Sequence, residues 1–220
     1  AMMLADMGAE VIRIDRKAPP GAGNPFPILG TKFDVLARGR VPGRRVAVIG
    51  AGGIGYDVSE YLVSGGHSPT LDPPAWFREW GVDTTMAARG GVAGVAPQPG
   101  PPAREVYLLQ RGEGKFGARL GKTSGWVHRA ALKAMKVQTI GGVVYERIDD
   151  RGLHLRIGND TRVLDVDDIV VCAGQESNRE LLQPLQAGGQ EVHVIGGADV
   201  ATELDAKRAI DQAVRLAARL

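Results

Sequence analysis

The sequence predicts an α/β fold built on a mostly parallel sheet. Three observations carry that prediction. Apolar runs at RRVAVIG, REVYLLQR and DDIVVCAG read as buried strands, the first and last of them ending in glycine. Helical patterns follow the first two of these runs, and strands alternating with helices point to parallel pairing. The glycines, 31 of 220 residues, gather at strand–turn–helix junctions rather than in a repeat.

In chain order, AMMLADMGA reads as a helix and EVIRID as a strand, the second half of a βαβ unit. KAPPGAGNPFPILGTKFDVLARGR has loop chemistry, with one short helix near residues 33–37. After RRVAVIG, residues 54–63 carry a helical face through Ile54, Val58, Tyr61 and Leu62, and Gly65 and Gly66 stop it. Residues 67–104 form a Pro- and Gly-rich excursion containing one helical piece, AWFREWGV. REVYLLQR is the next strand, and GKFGARLGKTSGWVHRAALKAM leads through a loop into a helix. VQTIGGVVYERIDDRGLHLRIG holds a short strand and a hairpin turning at Asp150, Arg151 and Gly152. DDIVVCAG and EVHVIGGAD are two further strands, and the chain closes in a helix with Glu203 and Lys207 as a surface pair.

Composition narrows the function classes. A hydrophobic share of 44% and a charged share of 24% are those of an ordinary globular protein. A net charge of +2, with bases scattered among acids, excludes an electrostatic case for nucleic acid or an anionic membrane. No apolar run nears the roughly 18–20 residues a membrane span needs, and no secretory leader is read. Cys172 is the single cysteine, and the four histidines show no ligand spacing, so no metal is expected. A reducing, cytoplasmic compartment is the expectation.

The main motif is Gly50-Ala51-Gly52-Gly53-Ile54-Gly55, a G-x-G-x-x-G between a strand and a helix. Gly50 allows the tight turn, Gly52 lets a pyrophosphate approach the backbone, and Gly55 lets the helix pack on the strand. The helix N-terminus then offers N–H groups and a positive dipole end. These are the marks of a Rossmann-like nucleotide-binding domain. An acid at the tip of the next strand would bind a ribose 2′-hydroxyl, but this strand ends in Gln110-Arg111, with Lys115, Arg119 and Lys122 following. That points to a 2′-phosphate, and so to NADPH rather than NADH. This strand comes about twice as far downstream as the usual ~20 residues. A Walker A loop fails, because its first glycine would have to be Phe116. Asp199 in VIGGAD reads either as a helix cap or as a contact to a flavin ribityl chain. Cys172 reads as a buried core thiol.

From about Val41 onward the chain resembles the C-terminal part of the bacterial NADPH-dependent 2,4-dienoyl-CoA reductases. The resemblance rests on VAVIGAGGIGYDVSEYL, WFREWGVD, LLQRGEGKFGARLGKTSGWVHR, VVCAGQESNREL and IGGADVATELDAKRAI. Ser177 departs from it, where that family usually has proline, with little consequence expected. The resemblance implies an NADP(H)-binding domain over 41–174 and the C-terminal segment of a FAD-binding domain over 175–220. It implies cofactor contacts at Gly50 to Gly55, Gln110, Arg111, Lys122 and Gly174 and, for FAD, at Gly197, Ala198 and Asp199. It implies no catalytic side chain here, an incomplete FAD site, and an FMN barrel with a 4Fe-4S cluster only in a full-length parent. Residues 1–40 instead resemble the start of the α-methylacyl-CoA racemases, family III CoA-transferase-like proteins, through AMMLADMGAEVIRIDRK and NPFPILGTKFDVLARGR. Two other readings stay open: a CoA-binding fragment, and a remnant that binds a nucleotide without turnover. A further possibility is that residues 1–16 stand in for the missing part of the FAD half.

Overall fold

The computed structural model describes residues 28–31, 35–36, 38–65, 71–87, 94–174, 177–201 and 206–220. The N-terminal helix and the EVIRID strand lie outside them, as do Gly66, Glu203 and most of the short helix near residues 33–37. Contacts divide the chain into one compact unit up to Ala173 and a second from Gly174 to Leu220.

The first unit is built on a five-stranded parallel sheet. Its strands are β1 (Ile28–Thr31), β2 (Arg45–Ile49), β3 (Glu105–Leu109), β4 (Gln138–Ile140) and β8 (Asp168–Val171). Their spatial order is β1-β8-β2-β3-β4, and every neighbouring pair is parallel. Helix α1 (Gly53–Ser64) connects β2 towards β3, and α3 (Gly125–Ala134) connects β3 to β4. Before β8 the chain makes an antiparallel meander of β5 (Val143–Asp149), β6 (Gly152–Ile157) and β7 (Asp160–Leu164). This is an α/β, Rossmann-like arrangement, as the sequence predicts.

Side-chain alternation sorts the core into two layers. Ala47, Ile49, Leu109 and Ile169 face the meander, where Tyr145, Leu153, Leu155 and Leu164 meet them. Val46, Val48, Val106, Leu108 and Val170 face the helices, where Tyr56, Val58, Leu62 and Leu132 meet them. The sheet is thus covered on both faces, which is why its strands read as unbroken apolar runs.

α1 ends where Gly65 takes a left-handed φ of 64°. Its buried stripe runs through Tyr56, Val58, Ser59, Leu62 and Val63. Tyr61, placed on that stripe by the sequence pattern, is 46% exposed, because it sits about 200° round the helix from the fully buried Ser59. Within the excursion, α2 (Pro73–Trp80) begins with the Asp72 carboxylate accepting from Ala75 N at 3.0 Å and ends at Gly81. It buries none of its residues, and Trp76 packs edge-on against Phe77 with centroids 5.5 Å apart.

Four elements differ from the sequence expectation. β1 forms in a stretch with loop chemistry, because the open edge of β8 takes Ile28–Thr31 in parallel register. β7 extends the hairpin to three strands, turning at Gly158, whose φ is 59°. EVHVIGGAD is not a strand: residues 190–195 make no ladder. Their unit has no described strand to pair with, and a lone extended run leaves its N–H and C=O groups to solvent or side chains. That unit holds α4 (Leu182–Ala187), which the sequence reading did not identify, and α5 (Ala206–Ala217).

Candidate nucleotide-binding site

The carboxyl ends of β2, β3 and β8 lie level. Ile49 pairs with Leu109 on one side and Val171 on the other. Gly50 N donates to Leu109 O at 2.9 Å, and Cys172 N donates to Ile49 O at 2.8 Å. Cys172, Gly50 and Gln110 therefore follow one another along a single edge, in the strand order β8, β2, β3. In open parallel sheets ligands bind outside the carboxyl ends of the strands, the edge on which these residues stand.

The glycines of the turn have separable roles. Gly50 holds a φ of 109°, and a Cβ there would stand 2.9 Å from Ala173 N. A Cβ on Gly55 would lie 1.8 Å from Gly50 O, so the helix can sit this close to the strand only without a side chain. A Cβ on Gly52 or Gly53 would meet nothing within 4 Å. The backbone is thus closed on the protein side and open on the outer side, the shape a pyrophosphate needs. Gly52 precedes α1 with no side-chain cap, and the first turn carries no acid. Ala51 and Ile54 are half-buried against the helix-side core. A dinucleotide's phosphates fit this turn.

Past β3, Arg111 is exposed, as are Lys115, Arg119 and Lys122. No acid stands at the strand tip itself. The following segment is tied down at Gly117, whose φ is 66°: Arg129 Nη1 donates to Gly117 O at 3.2 Å, and a Cβ there would stand 2.9 Å from Tyr56 Oη. Burial raises the Tyr56 hydroxyl above its ordinary pKa, against a smaller pull from Arg129. His128 Nδ1 lies 2.8 Å from Glu60 Oε1, joining α3 to α1. Lys122, Thr123 and Ser124 are exposed just before α3, and Trp126 in its first turn is 61% exposed. Cys172 is half-buried against the helix-side core.

The remaining expected positions belong to the second unit. Gly174 opens it with a φ of 79°. The turn holding Gly197, Ala198 and Asp199 is organised by Arg179 and Gln212, which sequence reasoning missed, and by Ser177, from which little consequence was expected. Arg179 donates to Ala198 O at 2.6 Å and to Asp199 O at 2.5 Å. Gln212 accepts from Gly196 N at 2.6 Å and donates to Asp199 Oδ2 at 3.1 Å. Ser177 Oγ accepts from Ala201 N at 3.1 Å. A proline at 177 would lack that acceptor. Asp199 thus has one carboxylate oxygen engaged by α5. Among the described residues one strand–glycine–helix turn stands, at Gly50, and a dinucleotide's phosphates fit it. No group of three His, Cys, Asp or Glu among the described residues is placed to hold a metal ion, and no described helix is long and apolar enough to cross a membrane.

Several solved structures share this fold. A 2-naphthoyl-CoA reductase in complex with 2-naphthoyl-CoA superposes with a TM-score of 0.58 over 83% of this chain and 22% of its own, at 18% identity. Histamine dehydrogenase from Rhizobium sp. 4-9 gives 0.55 over 87% of this chain and 27% of its own, at 13% identity. The 6-hydroxypseudooxynicotine amine oxidase of Pseudomonas geniculata N1 gives 0.56 over 80% and 22%, at 15% identity. The chain therefore spans about a quarter of the length of these proteins. The family match reaches from residue 6 to residue 209, through both compact units and across the change of character near Arg40. With the nucleotide-shaped turn at its centre, the chain belongs to the pyridine nucleotide-disulphide oxidoreductase family.

Proposed function

We propose that the chain is the NADPH-binding module of a FAD-linked oxidoreductase of the 2,4-dienoyl-CoA reductase kind. The observation that carries the reading is the turn at Gly50–Gly55, open at Gly52 and closed at Gly55, beside a strand tip that ends in Gln110-Arg111 with no acid. When bound, NADPH and FAD supply hydride chemistry. The chain's part is to hold the dinucleotide, with the turn and α1 at the pyrophosphate and Arg111 with Lys122 at the 2′-phosphate. No side chain is asked to move a proton, because hydride transfer depends mainly on holding two rings in register. With one cysteine, the chain contains no internal dithiol pair. Its chemistry is that of the nucleotide, and a reducing cytoplasmic compartment suits it.

In this reading Gly174, Gly197, Ala198 and Asp199 belong to a FAD-binding segment. The remaining FAD half, an FMN barrel and a 4Fe-4S cluster belong to a longer parent. A reductase bound to a CoA thioester among the structural neighbours agrees with an acyl-CoA substrate for that parent. Against the acyl-CoA racemase reading of residues 1–40 stands Arg40, whose guanidinium is engaged by Asp168 at the start of β8. Also against it, the family match begins at residue 6.

The test is calorimetric titration of the purified chain with NADPH and with NADH, with a visible spectrum of the same sample. NADPH binding well above NADH is expected, without a flavin spectrum. Binding of neither nucleotide by folded protein refutes the reading. A bound flavin bleached by NADPH would assign residues 1–40 to the flavin site.

A further inference from the structure

Gln110 follows β3 directly, and its carboxamide turns back onto its own loop. Nε2 lies 3.0 Å from Gly112 O and 2.6 Å from Gly114 O. Both neighbours are carbonyl oxygens, which only accept, so the two N–H groups of the amide are committed to them. The same loop is held from the other side by the junction of β4 and β5. Gly142 N donates to Gly112 O at 3.0 Å, and Val143 N donates to Gln110 O at 3.2 Å. That junction comes close because it lacks side chains. A Cβ on Gly141 would stand 3.1 Å from Gly112 O and 3.3 Å from the Phe116 ring. Gly142 holds a φ of 68°, and a Cβ there would stand 3.1 Å from Glu113 Cγ. Arg111 sits between the clamped residues, with its own side chain exposed.

We infer that Gln110 is a positioning residue rather than a nucleotide contact. Together with Gly141 and Gly142 it clamps the 110–114 loop, so that Arg111 is presented in one place for a 2′-phosphate. This rests on the reading of Arg111 given above. A long cationic side chain on a free loop loses much of its binding energy to ordering, and a loop ordered in advance does not. Discrimination between NADPH and NADH therefore depends on uncharged residues that touch neither. Without the amide, Gly112 O keeps only the Gly142 donor, Gly114 O loses its bond to Gln110, and the tip of the loop is released.

The experiment compares Gln110→Leu and Gly141→Ala with the parent chain by calorimetric titration with NADPH and NADH. Hydrogen exchange of residues 111–114 and a thermal melt accompany each titration. Leucine keeps the bulk and removes both donors, while alanine at 141 disturbs the clamp from the β4–β5 junction. In both variants the ratio of NADPH to NADH affinity is expected to fall roughly ten-fold, with faster exchange in the loop. A general loss of structure would weaken both nucleotides together and leave the ratio alone. An unchanged ratio in folded variants of a parent that prefers NADPH overturns this inference and leaves the proposed function standing. A parent chain with no preference for NADPH overturns both.

Discussion

A single missing Cβ separates two of the glycines in the turn after β2. At Gly55 it would collide with the Gly50 carbonyl, and at Gly52 it would meet open space. The two positions should respond oppositely to substitution. Gly55→Ala is expected to cost about 1–3 kcal/mol of stability or more by overpacking against backbone, seen as a lower melting temperature. Gly52→Val is expected to leave circular dichroism unchanged while NADPH binding is lost in calorimetry. At the strand tip, Arg111→Ala should weaken NADPH by about 1.5–3 kcal/mol, for loss of a charge-assisted contact, and leave NADH nearly as it was. Equal effects on both nucleotides would remove Arg111 from the 2′-phosphate site. The backbone geometry of the three turn glycines and the place of Arg111 just past β3 were legible in the sequence, because both follow from local spacing and strand order. Arg179 and Gln212 were not, since their partners lie 19–20 and 13–16 residues away and only folding brings them to the Gly196–Asp199 turn.

At the scale of elements, the meander carries a pH-sensitive carboxylate, Asp149. His154 Nε2 lies 2.8 Å from Asp149 Oδ1, and Arg151 N donates to the same oxygen at 2.9 Å. Burial pushes the Asp149 carboxyl up, but the bonds from His154 and Arg151 and the charges of His154 and Arg147 outweigh it. The carboxyl is thereby held below its ordinary value. A group depressed on folding stabilises the fold above its unfolded pKa, near 3.9 for aspartate, and loses that contribution as pH falls through the folded value. Urea unfolding followed from pH 6 downward should therefore show a decline in stability below about pH 4, and Asp149→Asn should flatten it. An acid limb of the same slope in the variant would assign the decline to other carboxylates. The hairpin of β5 and β6 was readable from its alternation around Gly152. β7 was not, because Asp160 to Val163 are all exposed and show no apolar alternation.

At the scale of the whole molecule, the stretch before β2 and the first residue of β2 are bound into the first unit at several points. Arg40 is paired with Asp168, and Gly43 N donates to the other Asp168 oxygen at 2.6 Å. Arg45 pairs with Asp165, and with Asp167 at 3.0 Å. Asp168 is 4% exposed, so removing a partner leaves a buried carboxylate short of a donor. Arg40→Ala is expected to cost about 1–3 kcal/mol, measured by urea unfolding. No loss would mean that this stretch rests on the unit without supporting it.

By itself the sequence determined the α/β class, the parallel strands β2, β3 and β8, the helices after the first two of them, and the glycine turn. Each of these is encoded in contiguous residues: apolar runs, a 3.6-residue period and glycines at set spacing. Only the tertiary structure decided that Ile28–Thr31 becomes an edge strand, that residues 190–195 do not, and that Gln110 faces its own loop. A strand exists where a neighbour offers a ladder, and a side-chain amide bonds wherever folding brings carbonyls within reach. Neither condition can be read from the residues of the segment alone.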